Sequence, residues 1–332
     1  MEYRKLGSSG LKISALSIGT WITFGDQIDE EAGAACLKAA YNAGVNFFDA
    51  AEVYAAGQAE TMLGSILRNF GWKRADLVVS TKIFWGGDGP NDTGLSRKHI
   101  IEGTDASLRR LQMDYVDLLF CHRPDKETPV EETVRAMTHI VNQGKAFYWG
   151  TSEWSAEQIR EAHGAARREH LVPPTMEQPQ YNMFHRERVE KEYAGLYHDF
   201  GMGTTVWSPL NSGFLTGKYA KGVPAGSRLA LRDYEWLRKR FEGPEALLKI
   251  GKIKKLAALA GGLGITLPQL AIAWCLKNKN VSTVITGASK PEQVVENMKA
   301  LDAARHLDEA ILARIDKILG NKPAPEPDFR KM

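Results

Sequence analysis

Eight short, β-rich apolar runs alternate with longer amphipathic ones along this chain, and that rhythm restricts the fold more than any other feature. The strand candidates are 16–20 (LSIGT), 45–50 (VNFFDA), 77–82 (LVVSTK) and 116–122 (VDLLFCH). They continue with 146–152 (AFYWGTS), 175–182 (TMEQPQYN), 203–210 (GTTVWSPL) and 281–289 (VSTVITGAS). Helical patterns fall between them, at 30–43, 59–70, 97–111, 131–143, 155–169, 187–199, 267–278 and 291–302, with an additional helix at 245–262. Strands alternating with helices imply parallel pairing and right-handed crossovers. Eight such units in 332 residues predict an α/β chain closed into a (β/α)₈ TIM barrel, as one domain over 1–332.

The rival fold, a doubly wound nucleotide-binding sheet, often carries GxGxxG after its first strand. Here GGLGIT at 261–266 lacks the spacing and follows a helix, so it reads as a turn. The N-terminal MEYRKLGSSGLKIS suits a hairpin that caps the barrel bottom, with Gly7, Ser8, Ser9 and Gly10 as its turn. Residues 211–245 are too long and too polar for an ordinary connection, with Gly213, Gly217, Gly222, Gly226, Lys218 and Arg228 among them. Long loops in compact domains are commonly functional, and the position after the seventh strand predicts a cofactor-covering loop.

Composition narrows the function. A formal net charge of +3 is too mild to argue for nucleic acid. The densest basic run, Arg238 to Arg240, lies among Glu235, Glu242 and Glu245 and reads as a solvated helix face. Cys36, Cys121 and Cys275 are widely spaced with no CxxC, so neither a disulfide framework nor a metal site is implied. Cys121 precedes His122, but neighbours on a strand point to opposite faces; a buried thiol is the better reading. No apolar stretch reaches the roughly 20 residues of a membrane helix, and no signal-peptide pattern opens the chain. A cytoplasmic protein is expected.

Four polar side chains stand at or just past the ends of apolar runs: Asp49, Tyr54, Lys82 and His122. In a barrel of this kind, chemistry sits at the carboxyl ends of the strands. A phenol has an ordinary pKa of about 10, and a cation beside it favours the phenolate. Lys82 would thus tune Tyr54, Asp49 would hold Lys82 charged, and His122 would orient a carbonyl for protonation by Tyr54. Each residue alone has an ordinary explanation as packing or as a structural ion pair. Together, on three successive strand ends, they point to proton delivery.

The runs FFDAAEVYAAGQAE, STKIFWGG, GLSRKHI, CHRPD, EETVRAM, YWGTSEWS, WSPL and LPQLAIAWCL resemble the aldo-keto reductases. More narrowly, they resemble the potassium-channel β-subunit branch, from about Tyr3 to about Pro323. The resemblance implies NADPH-dependent hydride transfer to a small carbonyl substrate with Tyr54 as acid, a homotetramer, and a potassium-channel cytoplasmic domain as possible partner. It places Gln178 and Ser152 on the nicotinamide carboxamide, Trp207 on the ring, and Thr20, Trp21 and Gln27 beside it. Ser208, Pro209, Leu210, Asn211 and Ser212 would line the pyrophosphate, with Lys218 and Arg228 supplying charge. Gly287, Ser289, Gln293, Glu296 and Asn297 would hold the adenosine end, Ser289 near the 2′-phosphate.

Independently, Ser289-Lys290-Pro291-Glu292 has the form of a capping box, and a helix N-terminus favours phosphate; a plain capped helix explains the same pattern. The animal channel subunits carry asparagine in place of His122, arginine in place of Glu153 and a tyrosine in place of Gly226. The full tetrad here therefore favours ordinary turnover, with an altered local nicotinamide contact and looser closure over the cofactor. The absence of a long extension before the domain leads us to expect no channel-blocking peptide. Trp21, Trp85, Tyr54 and loop residues around Trp154 are expected to form the pocket rim.

Overall fold

The computed structural model describes residues 1–21, 23–219, 224, 235–239, 243–324 and 330. It opens with an antiparallel hairpin of β1 (Tyr3–Lys5) and β2 (Lys12–Ser14). Eight parallel strands follow: β3 (Leu16–Gly19), β4 (Phe47–Asp49), β5 (Val78–Ile83), β6 (Val116–Cys121), β7 (Ala146–Thr151), β8 (Met176–Glu177), β9 (Gly203–Val206) and β10 (Val281–Thr286). They pair in sequence order, and β10 closes back onto β3, so the barrel has no open edge.

The intervening helices are α1 (Glu30–Asn42), α2 (Gln58–Phe70), α3 (Arg97–Leu111), α4 (Val130–Asn142), α5 (Ala156–Glu169) and α6 (Ala194–Phe200). After β9 come α7 (Glu235–Arg238), α8 (Gly243–Gly262) and α9 (Leu267–Leu276). The chain then ends in α10 (Pro291–Met298), α11 (Ala300–Ala303) and α12 (Glu309–Leu319). Several helices start where the sequence offers a cap: Asp29, Ser96 and Asp308 each accept a backbone N–H of the first turn. Ser155 with Gln158, and Thr266 with Gln269, form reciprocal capping boxes. Among the described residues no single helix is long and apolar enough to cross a membrane.

Side-chain alternation along the strands divides the core in two. Phe47, Val78, Leu118, Phe120, Met176 and Ile285 fill the barrel interior, and Leu6 and Ile13 of the hairpin plug its lower end. Their neighbours Phe48, Val79, Leu119, Cys121 and Trp149 face outward into the larger layer between strands and helices. Each fully buried phenylalanine contributes roughly 1.5–3 kcal/mol. The plug is anchored by Arg4, whose guanidinium donates to the Val281 and Leu276 carbonyls at 2.9 and 3.0 Å. Where β7 passes β8, a Cβ on Gly150 would lie 2.2 Å from the Met176 carbonyl oxygen, so only glycine permits that pairing.

Three expectations need revision. The sixth strand is two residues long: Pro179 has no N–H to give the ladder, and pairing with the following segment continues only as an isolated bridge between Gln180 and Trp207. The helix expected over 187–199 is a π-helical turn at Arg188–Glu192 followed by α6. Finally, α12 was not anticipated, although Ile311, Leu312, Ile315, Ile318 and Leu319 form an apolar stripe on it, with Ile315 and Leu319 fully buried.

Candidate active site

The inward parity of the strands delivers the reactive groups. Phe47 and Asp49 share one face of β4, and Val78, Ser80 and Lys82 share one face of β5. Leu118 and Phe120 lead to His122 just past β6. The residues that fill the barrel below thus fix which side chains emerge above. Tyr54 follows β4 and opens a turn in which Ala55 and Ala56 both have positive φ, at 48° and 50°. Such backbone costs about 1–3 kcal/mol per residue and tends to gather at functional sites.

The structure brings the four residues together. Lys82 Nζ donates to Asp49 Oδ2 at 2.6 Å, to the Ala50 carbonyl at 2.7 Å and to the Tyr54 hydroxyl at 3.0 Å. Asp49 Oδ1 accepts from Ser80 Oγ at 2.7 Å and Gln178 Nε2 at 3.0 Å. The Tyr54 and His122 rings meet edge-on, 5.7 Å apart. His122 Nδ1 is buried without a hydrogen-bond partner among the described residues.

Burial would lower the Lys82 pKa, but Asp49 and Tyr54 outweigh it and raise it, so the ammonium persists. His122 is held well below the usual imidazole range by burial, reinforced by Lys82 and Arg123, and is therefore neutral. Tyr54 corrects the sequence reading. Lys82 does pull its pKa down, yet burial pushes it up by more, and Asp49 offsets part of the Lys82 effect. In this state Tyr54 is a firmly protonated phenol.

These groups border a cleft of roughly 1460 Å³. That exceeds the ~300–1,000 Å³ of ordinary small-ligand pockets and leaves room for a long ligand. Trp21, Ser152, Gln178 and Trp207 line the cleft beside the cluster. Gln27, Ser208, Pro209, Leu210, Ser212, Lys218, Gly287, Ser289, Gln293, Glu296 and Asn297 line it as well. Trp21 and Trp207 form an aromatic corner, 5.8 Å apart and nearly perpendicular. The residues fit a dinucleotide: an aromatic wall for a planar ring, then hydroxyls and the Lys218 ammonium for phosphate.

Some expected contacts fall elsewhere. Thr20 is fully buried behind the wall, its hydroxyl donating to the Asp49 carbonyl at 3.1 Å. Asn211 sits in the turn after Leu210 and does not border the cleft. Trp154 is 2 % exposed, packed in the outer core and off the rim. Arg228 and Gly226 lie outside the described residues. Of the expected loop over 211–245, the described parts are a 3-10 turn at Asn211–Thr216, residues 217–219 and 224, α7, Lys239 and the start of α8. The capping box at Ser289 is also displaced: α10 is capped at Lys290 without a side-chain bond. Gln293 Oε1 instead accepts the Ser289 N–H at 2.9 Å and its hydroxyl at 3.3 Å.

One residue was missed by motif, and a second, Glu153, was noted only as a departure from the resemblance. Arg123, beside His122, borders the reactive end of the cleft; its place next to a strand-end histidine was the available signal. Glu153, at φ 61°, ties three loops together. It accepts from Trp207 Nε1 at 3.0 Å and the Gln180 N–H at 2.5 Å, and pairs with Arg188 at 2.8 Å.

The aldo/keto reductase family model matches residues 15–320. An Arabidopsis thaliana protein named "Probable voltage-gated potassium channel subunit beta" is 56% identical over 331 residues, 99% of this chain and 100% of that protein. A protein of the same name from Oryza sativa subsp. japonica is likewise 56% identical over 331 residues, with the same coverage. By sequence over nearly its whole length, and with a closed barrel of the matching kind, the chain belongs to the aldo/keto reductase family.

Proposed function

We propose that this protein reduces aldehydes or ketones to alcohols with NADPH, using Tyr54 as the general acid. The observation that carries this reading is the Lys82 ammonium, held by Asp49 and donating to the Tyr54 hydroxyl at 3.0 Å. When bound, NADPH supplies a hydride to the carbonyl carbon. Tyr54 gives its proton to the carbonyl oxygen, and Lys82 stabilises the phenolate left behind. A neutral imidazole has one N–H donor, which His122 offers to the same oxygen. Trp21 and Trp207 would wall the nicotinamide, with Ser152 and Gln178 beside it. Ser208, Ser212, Lys218 and Ser289 would bind phosphate, Ser289 and Lys218 favouring NADPH over NADH.

Product analysis tests this directly. With NADPH deuterated on the transferred position and benzaldehyde, the label should appear on the alcohol carbon. Tyr54→Phe should bind NADPH yet form almost no product; unchanged product formation by that variant would sink the assignment.

The names of the two plant relatives support a second, compatible reading. In it, a cytoplasmic homotetramer docks on the cytoplasmic part of a potassium channel, its bound cofactor reporting redox state. Co-purification with such a channel domain supports this role, and consistent failure to bind one removes it.

A further inference from the structure

We propose that Arg123 makes the cleft select carbonyl substrates bearing an anionic group, a carboxylate or a phosphate monoester, seated beside the acid–base cluster. The proposal rests on the reductase reading above and names its substrate class.

Arg123 directly follows His122 and borders the same cleft as Tyr54 and Trp85. Its Nη1 donates to the His122 carbonyl at 2.5 Å and to Ser152 Oγ at 3.2 Å, which fixes the guanidinium. Nε and Nη2 carry three further N–H donors, and among the described residues none of these has a protein acceptor. No carboxylate among those residues pairs with Arg123 either. A half-buried guanidinium with donors to spare is a poor structural element and a good anion receptor, because its planar fork matches carboxylate and phosphate oxygens two at a time.

The surroundings agree. Trp85 is a common neighbour: its ring lies 5.1 Å from the His122 ring and 5.5 Å from the Arg123 guanidinium carbon. A carbonyl held at His122 and Tyr54 therefore leaves the remote end of a short substrate along Trp85, within reach of Arg123. Nearby carboxylates do not cancel the charge. Asp49 is committed to Lys82, and Glu52 accepts the Phe84 N–H at 2.6 Å and faces His99 at 3.5 Å. Asp88 borders the cleft but is solvent-exposed, where its field is screened. The joint pressure of Lys82 and Arg123 on His122 reflects the same positive local field. An alternative role for Arg123, holding Ser152 alone, would affect every substrate alike.

The test uses the full chain with NADPH and three matched aldehydes: 4-carboxybenzaldehyde, 4-formylphenyl phosphate and neutral 4-formylbenzamide. At least one anionic aldehyde should exceed the amide in kcat/KM by about tenfold or more, mainly through KM; which one does so separates carboxylate from phosphate. Arg123→Met should collapse that ratio, and Arg123→Lys should keep part of it. A wild-type ratio near one, or an equal loss on all three aldehydes in Arg123→Met, overturns the proposal. If none of the three is reduced, the reductase reading fails by itself. Calorimetric binding of 4-carboxybenzyl alcohol and 4-phosphonooxybenzyl alcohol against 4-carbamoylbenzyl alcohol then decides the matter. Arg123-dependent preference for either anion upholds anion selection, and equal binding of all three refutes it.

Discussion

Lys82 Nζ lies 3.0 Å from the Tyr54 hydroxyl, and no part of the lysine side chain is exposed. A buried ammonium cannot be replaced by solvent, so its loss has two consequences. In Lys82→Met, proton delivery should drop by about 10²- to 10⁴-fold in kcat. Asp49 would also lose its counter-ion, and removing one partner of a buried pair costs about 3–5 kcal/mol. Steady-state reduction together with urea unfolding checks both; a variant of native stability and activity would contradict the arrangement.

Glu153 should matter to cofactor affinity without touching the reacting atoms. It anchors the Trp207 indole and the Gln180 backbone while pairing with Arg188. Glu153→Ala should weaken NADPH binding by about tenfold, read as quenching of tryptophan fluorescence on titration. Glu153→Gln, which retains an acceptor, should recover most of the affinity. Unchanged affinity in the alanine variant would show that Trp207 needs no anchor.

Glu177 lies on the outward face of β8, where burial pushes its carboxyl up to about 8 from 4.5. Thr151 and Tyr193 both donate to it. The folded state then holds a proton that the unfolded chain releases near 4.5. Its contribution is complete below that value and is lost as pH rises through about 8. Glu177→Gln removes the titration, so its urea midpoint should fall less than the wild-type midpoint between about pH 5 and pH 8. Parallel curves would show that Glu177 titrates normally.

The barrel and the reactive cluster were legible because both follow from strand parity. Phe47 and Asp49, Val78 and Lys82, and Phe120 and His122 are separated by even numbers of residues, so a buried lower side chain guarantees an inward upper one. What escaped depended on competition between effects. Spacing shows that Lys82 lies near Tyr54, but not that burial outweighs it. Ser289 matches a cap by pattern, but the helix begins one residue later and Gln293 takes the role of the returning side chain. Trp154 and Ser152 are two residues apart, yet the left-handed turn at Glu153 sends the indole into the outer core while Ser152 stays at the cleft. The positions of Arg123 and Glu153 were visible beside recognised motifs, but their partners in distant loops, Ser152 for Arg123 and Trp207, Gln180 and Arg188 for Glu153, were not.

The most direct measurement is multiple-turnover NADPH oxidation with a small panel of aldehydes, wild type beside Tyr54→Phe. Sustained oxidation by the wild type, with kcat reduced by about 10²-fold or more in the variant and NADPH affinity retained, is the expected result. Oxidation that stops after one equivalent, or that proceeds equally without the Tyr54 hydroxyl, would contradict catalysis by this cluster.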